Sequence, residues 1–114
     1  MPHSGERKKL MDKSENFHQQ LRDIIPKISE ARISVLKAET KLKRVFWIEL
    51  CKAKDDGERS YNAQKSKAEA SDEYSKASMD VAVAKASLDG LQTEKAAVDM
   101  QFEEWRQERS RYGA

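Results

Sequence analysis

The sequence has few of the residues that interrupt helices and no long apolar run. Its 114 residues include four glycines, two prolines and one cysteine. Because Cys51 is the only cysteine, the chain forms no internal disulfide. No run approaches the roughly 20 apolar residues of a membrane span. The first nine residues also lack the apolar stretch of a signal peptide, so we expect a cytoplasmic protein with no membrane span.

Patterns that would indicate catalysis are missing as well. The sequence has no glycine-rich phosphate loop, no nucleophile motif and no paired catalytic carboxylates in an apolar setting. Glu15 and His18 form a single Glu-x-x-His, whereas helical di-iron bundles require that motif twice. We therefore expect both residues on the solvated surface, and we predict that the protein is not an enzyme and holds no metal or cofactor.

What the sequence does contain is charge and good helix formers. Charged residues make up 37% of the chain and the mean hydropathy is −0.91, which leaves little material for a compact globular core. Lys and Arg outnumber Asp and Glu by 13 to 7 in residues 1–54 and are outnumbered by 13 to 9 in residues 55–114. The halves therefore carry net charges of +6 and −4, which favours a fold that places them side by side.

Two apolar repeats follow the 3.5-residue period of a coiled coil. The first comprises Phe17, Leu21, Ile24, Ile28, Ala31, Val35, Ala38, Leu42 and Val45. The second comprises Ala70, Tyr74, Ala77, Val81, Ala84, Leu88, Leu91, Lys95, Val98, Phe102, Trp105 and Tyr112. We call these residues the seam. An ordinary amphipathic helix would drift by about 20° per heptad, so the strict spacing predicts supercoiling.

Turn-forming residues lie between the two repeats. Gly57 can adopt a positive φ angle, and Asp55 or Asp56 can cap the helix that follows. The sequence therefore predicts an all-α fold, an antiparallel two-helix coiled-coil hairpin. We expect a single domain over residues 10–112, with a first helix to about 53, a turn at about 54–59 and a second helix over about 60–111. Residues 1–9 have no apolar periodicity and are expected to be flexible.

Pro26 lies inside the first repeat, where it removes a backbone hydrogen-bond donor. Two outcomes fit the sequence. Either Asp23 caps a new helix that has a short separate helix before it, or one long helix kinks at Pro26. Because the heptad phase continues unbroken across Pro26, we favour a kink or a tight break that keeps both pieces on the same side.

Folding the repeats about the turn predicts a register in which the numbers of facing residues add to about 112. This register alternates large residues with small ones: Val35 opposite Ala77, Ala31 opposite Val81 and Ile28 opposite Ala84. Such complementarity lets the helix axes approach closely. The register depends on the turn geometry and can slip by a whole layer.

The seam does not account for a dense apolar cluster at the end of the first repeat. Consecutive large residues step about 100° around a helix, so one neighbour cannot cover them all. We predict a partner-binding site formed by Phe46, Trp47, Ile48, Leu50 and Met79. Further off-seam apolar residues are Ile25, Ile33, Leu36 and Val83. In the competing interpretation, Phe46 and Trp47 pack internally against Tyr61 and the returning helix.

These observations favour a noncatalytic protein-binding module, such as an adaptor, inhibitor or chaperone-like accessory protein. Its partner is another protein, a second copy of the chain, or both. Two helices bury only one stripe each, so we predict a homodimer or higher oligomer. The alternative is a nucleic-acid-binding accessory protein, because basic residues that suit phosphate surround the aromatics: Lys41, Lys43, Arg44, Lys52 and Lys54. The same residues also suit a membrane surface.

Overall fold

The computed structural model describes the backbone of residues 4–111 and the side chains of residues 13–111. Over that range the chain forms three α-helices and no strand: α1 (Ser4–Asp55), α2 (Tyr61–Glu69) and α3 (Asp72–Arg111). The predicted all-α class is confirmed. Within the described residues, none of the helices has an apolar window long enough to cross a membrane.

The first helix continues through Pro26 without interruption, so the alternative of a separate N-terminal helix is wrong. Asp23 does not cap a new helix; its carboxylate accepts a hydrogen bond from Gln19 Nε2 at 2.8 Å, one turn earlier. The helix begins at Ser4, so residues 4–9, which the sequence assigned to a flexible N-terminus, are helical. Residues 1–3 of that segment lie outside the described residues.

A glycine-capped turn ends α1. Gly57 has a φ angle of +99°, a conformation that side chains with a Cβ rarely adopt. The Glu58 N–H donates to the Ala53 carbonyl at 3.1 Å, and the Gly57 N–H donates to the Lys54 carbonyl at 3.1 Å. These two bonds form a Schellman motif, which satisfies carbonyls at the helix end. The predicted turn at Gly57 is confirmed.

The cap of α2 is Ser60 rather than either predicted aspartate. Its backbone is extended, and its Oγ accepts a hydrogen bond from the Ala63 N–H at 3.1 Å. Asp55 is instead the last residue of α1. Asp56 lies in the turn, where its carboxylate pairs with Lys67 Nζ of α2 at 3.2 Å.

The predicted second helix over 60–111 is interrupted at residues 70 and 71, which separate α2 from α3. Ser71 causes the break, because its hydroxyl bonds to the backbone on both sides. Its Oγ donates to the Ala68 carbonyl at 2.8 Å and accepts from the Tyr74 N–H at 3.1 Å. Two acidic residues in the first turn of α3 then complement the helix dipole.

The chain forms two compact units, and both long helices contribute to each. Unit 1 combines the first part of α1, to Ser29, with the last part of α3, from Asp89, and unit 2 comprises Glu30–Leu88. In each unit the described seam residues, apart from Ala70, are buried or half-buried. Tyr112, the last seam residue, lies outside the described range. The heptad spacing therefore identifies the buried side of α1 and of α3 correctly.

Unit 1 has an aromatic core. The Phe17 ring of α1 lies 5.3 Å from the Phe102 ring and 5.9 Å from the Trp105 ring, both on α3. The guanidinium of Arg109 stands over the Trp105 ring at 5.7 Å, a cation–π contact. The buried aliphatic residues of the unit are Ile24, Ile28 and Val98.

In unit 2, the contacts between α1 and α3 correct the predicted register. Three pairs join the helices: Glu39 with Lys85 at 3.6 Å, Lys41 with Asp80 at 3.9 Å, and the Phe46 and Tyr74 rings at 6.2 Å. Their residue numbers add to 124, 121 and 120, which is 8 to 12 more than the predicted 112. The pairing of Val35 with Ala77 is therefore wrong. Because α1 runs on to Asp55 and the link extends to Ser60, the chain reverses further along than expected.

Two glycines provide a matched test of the backbone. Gly57→Ala should lower the free energy of unfolding by about 1 kcal/mol, because alanine is strained at a positive φ angle. Gly90→Ala should raise it by up to about 1 kcal/mol, since Gly90 is inside α3 and an added Cβ meets nothing within 4 Å. Thermal unfolding should shift the two melting temperatures in opposite directions by about 4 °C. Shifts of the same sign would contradict this account.

Candidate functional site

The predicted aromatic residues form an exposed patch at the end of α1. We define the aromatic patch as Phe46, Trp47 and Ile48. Phe46 is half-buried, with its ring edge-on to that of Trp47 at 5.9 Å and to that of Tyr74 at 6.2 Å. Trp47 remains 59% exposed and Ile48 remains 48% exposed. Phe46 therefore anchors the patch to unit 2, while Trp47 presents a large ring to solvent.

Helix geometry explains this arrangement. Val45 belongs to the seam, and each following residue turns about 100° further around the helix. Phe46 is at the border of the seam, where it still reaches Tyr74 of α3. Trp47 is about 200° from Val45 and points away from α3, so no seam partner can cover it. Two interpretations were considered for these rings, internal packing and an exposed contact surface. The half-buried Phe46 agrees partly with internal packing, whereas Trp47 is exposed.

Two residues of the predicted site do not belong to this patch. Leu50 is only 7% exposed and is part of the core of unit 2, so it cannot contact a partner as predicted. The end of α1 also lies near α2, because Ala53 of α1 and Lys67 of α2 line one surface depression, and this neighbour was not anticipated. Met79 is 63% exposed but lies on α3, on the side turned away from the seam. Its side chain therefore does not lie beside Trp47 as predicted.

A shallow, open depression lies on the surface of α1, at earlier residues than the patch, and we call it the outer groove. This outer groove has a volume of about 410 Å³ and is lined by Ile33, Leu36, Lys37, Thr40, Lys41 and Arg44. Its two aliphatic residues, Ile33 and Leu36, are more than half exposed. Both were predicted as off-seam apolar residues, whereas Lys37 and Thr40 were not predicted to belong to a site. The spacing from Ile33 through Thr40 to Trp47, seven residues at each step, was the signal available.

The five basic residues of the nucleic-acid hypothesis are exposed but differ in their surroundings. Lys41 Nζ lies 3.9 Å from an Asp80 carboxylate oxygen, and Lys52 Nζ lies 3.1 Å from a Glu49 oxygen. Lys41 and Arg44 line the outer groove. The remaining two, Lys43 and Lys54, are on exposed positions of α1. Two of the five basic residues, Lys41 and Arg44, therefore lie together at the groove, and two, Lys41 and Lys52, form ion pairs.

The single Glu-x-x-His is on the surface, as expected. Glu15 pairs with Arg22 at 3.6 Å, and His18 is exposed with its ring 5.7 Å from that of Phe102. Within the part of the chain that the structure describes, no three His, Cys, Asp or Glu side chains are grouped so that they could hold a metal ion.

Comparison with known proteins gives no match: no family model, no curated protein and no solved structure resembles this chain closely enough to be matched to it. Its function is therefore inferred from the arrangement of its own side chains. The features that distinguish its surface are the aromatic patch and the outer groove.

The contrast between Trp47 and Leu50 can be tested by unfolding experiments. Trp47→Ala should change the free energy of unfolding by less than about 1 kcal/mol, because the side chain is mostly exposed. Leu50→Ala should lower it by about 2 to 4 kcal/mol, since this side chain is buried. Chemical denaturation of the two variants measures both values. A large loss of stability in Trp47→Ala would show that the ring is part of the core.

Proposed function

We propose that this protein is a noncatalytic protein-binding helical module, an adaptor, inhibitor or chaperone-like accessory protein, and that the aromatic patch is its contact surface. The observation that carries the proposal is the exposure of Trp47 on a helix whose seam is already covered. A tryptophan held beside Phe46 and Ile48 loses little conformational freedom on binding and offers a large apolar area. Such residues commonly dominate the energy of protein interfaces.

The way unit 2 is built supports this proposal. Phe46 is fixed by its contacts with Trp47 and Tyr74, so the patch is attached to a packed helix pair rather than to a loop. A surface held in place before binding has less entropy to lose when a partner docks. Ile33 and Leu36 extend the exposed apolar surface along the same helix. Grouped apolar residues of this kind mark interaction sites more often than isolated ones do.

Nucleic-acid binding is the second candidate, because Lys41 and Arg44 lie together at the outer groove. We favour the protein partner, since Lys41 and Lys52 already pair with carboxylates and the protein carries a net charge of only +2. Binding to phosphates releases counterions and weakens steeply as salt rises, whereas an apolar protein interface responds little. A binding assay at low and at moderate salt therefore separates the two candidates.

We also propose that α1 and α3 form an antiparallel coiled coil within each unit. The order of the pairs in unit 2 supports this, because residue numbers fall along α3 from Lys85 to Tyr74 as they rise along α1 from Glu39 to Phe46. The buried and half-buried seam residues follow alternating four- and three-residue steps, which is the spacing that supercoiled helices require. This packing explains why the opposite side of α1 is left for a partner.

Site-specific photo-crosslinking tests the proposed function. A photoreactive amino acid at position 48 should capture a partner protein in the cells that make this chain, because Ile48 is exposed beside Trp47. Adding Trp47→Ala should reduce the captured amount at least about tenfold, as expected for an interface hot spot. Met100→Ala, which removes a similarly exposed side chain from unit 1, is the matched control and should have little effect. Capture that does not depend on Trp47, or capture of nucleic acid alone, would contradict the proposal.

We further propose that the chain self-associates, as predicted from its off-seam apolar residues. Met79 and Val83 are one turn apart on the outer side of α3 in unit 2, and both are more than half exposed. Light scattering at micromolar concentration should give the mass of a dimer or a larger assembly. The double variant Met79→Glu/Val83→Glu should give the mass of a monomer, because it places charge in the apolar contact. A monomeric wild-type protein would rule out self-association under these conditions.

A further inference from the structure

A second row of side chains runs along α1 on the side opposite the seam. Ile33, Lys37, Thr40, Arg44 and Trp47 are separated by the same alternating four- and three-residue steps as the seam itself. Residues with this spacing stay on one side of a helix. All five are exposed and all belong to unit 2, so they form a continuous surface that joins the outer groove to the aromatic patch.

The centre of this surface is apolar. Ile33, Leu36 and Trp47 are each more than half exposed. Thr40, which lies between them, uses its hydroxyl proton inside the helix, where Oγ1 donates to the Leu36 carbonyl at 2.8 Å. The floor of the groove therefore offers little competition from polar donors. An apolar stripe of this kind gains free energy when it is covered by another apolar surface.

One edge of the surface is positively charged. Half of the residues that line the outer groove are basic and none is acidic: Lys37, Lys41 and Arg44 are the cations. Among the described side chains, no carboxylate oxygen lies within 4.0 Å of Lys37 or Arg44, whereas Lys41 forms an ion pair with Asp80. The charge of the groove is therefore complementary to an acidic partner. The same charge disfavours the packing of this face against its own copy.

The shape of the surface selects a helix as the occupant. The backbone N–H and carbonyl groups along α1 bond within the helix, so they cannot pair with an extended peptide. Rows of side chains on a helix are covered most efficiently by the rows of a second helix. The distance from Ile33 to Trp47 is about 21 Å at 1.5 Å per residue, which corresponds to a partner helix of about four turns.

We infer that the outer groove and Trp47 bind an acidic amphipathic α-helix of a partner protein. Its apolar stripe covers Ile33, Leu36 and Trp47, and its flanking carboxylates approach Lys37 and Arg44. This inference rests on the function proposed above and specifies the chemistry of the partner. Apolar contact supplies most of the affinity, while the charges determine which helices are accepted.

A synthetic peptide can serve as the probe. We would use a fluorescently labelled helix of about 20 residues, with leucines at four- and three-residue steps flanked by glutamates. Fluorescence anisotropy should show binding of this peptide. A peptide with lysines in place of the glutamates, and one of the same composition with the leucines scrambled, should each bind at least about tenfold more weakly. Equal binding of the three peptides would overturn the inference.

Charge reversal locates the binding site. The double variant Lys37→Glu/Arg44→Glu should weaken binding of the acidic peptide at least about tenfold and should improve binding of the lysine peptide. Lys76→Glu changes an exposed lysine on α3 of the same unit and is the matched control, which should bind as the wild type does. Circular dichroism should show equal helicity in both variants, since all three residues are exposed. Unchanged peptide binding in the double variant would overturn the proposed site.

The outcomes separate this inference from the proposed function. If crosslinking beside Trp47 captures a protein but the acidic peptide does not bind, the protein-binding function stands and the helical acidic partner is wrong. If neither the peptide nor any protein binds, both are wrong. If a single-stranded oligonucleotide binds more tightly than the peptide and loses binding in Lys37→Glu/Arg44→Glu, the groove is a nucleic-acid site, and the inference and the proposed function both fail.

Discussion

The structure depends on one constraint, that a pair of packed helices can bury only one stripe of each. In both units α1 and α3 use this stripe for the seam, and the described seam residues other than Ala70 are removed from solvent at least in part. Any large apolar residue outside the stripe must then remain exposed or find a further neighbour. Leu50 is buried in the core of unit 2, Phe46 is half-buried against Tyr74, and Trp47 stays mostly exposed. The aromatic patch is therefore a direct consequence of the seam.

The link between α1 and α3 decides which residues meet across the seam. The glycine-capped turn at Gly57, the extended Ser60 and the break at Ser71 each rest on one or two hydrogen bonds of a short polar side chain or a backbone amide. Together they determine where the chain reverses. A change in this link would shift which residues of α1 and α3 face each other in unit 2, because packed helices with small facing residues can settle in more than one register. The exposed ion pair of Asp56 and Lys67 joins the turn to α2.

The sequence predicts the features that are local and periodic. The helical class and the seam follow from apolar spacing, and the turn follows from Gly57 because only glycine adopts its backbone conformation without strain. The register was wrong because it depends on the length of the link, which hydrogen bonds of Ser60 and Ser71 decide. The order Ser71, Asp72, Glu73 is nevertheless a helix-start signal that could have located the break.

The candidate site was predicted only in part, because periodicity shows which residues leave the seam but not which further neighbours cover them. Trp47 and Ile48 do not fall on the four- and three-residue steps of the seam, so periodicity alone predicts their exposure. Leu50 leaves the seam as well but is buried. The end of α1 lies near α2, where Ala53 and Lys67 line one depression, and a two-helix pattern does not include this neighbour. The row from Ile33 to Trp47 was missed because Lys37 and Arg44 interrupt its apolar residues. The average hydrophobicity of the row is therefore too low to mark it as an apolar face. Only the seven-residue spacing of its members reveals it.

If the outer groove binds the acidic helix inferred above, the position of charge on α1 gives this surface its selectivity. An uncharged apolar stripe opposite the seam would accept the same stripe of a second copy, and such contacts can continue without closing. Lys37 and Arg44 place like charges at that contact and oppose it. The same two residues attract a helix of opposite charge, so one feature both limits indiscriminate association and favours a particular class of partner. The self-association proposed above uses the outer side of α3 instead, where Met79 and Val83 are exposed.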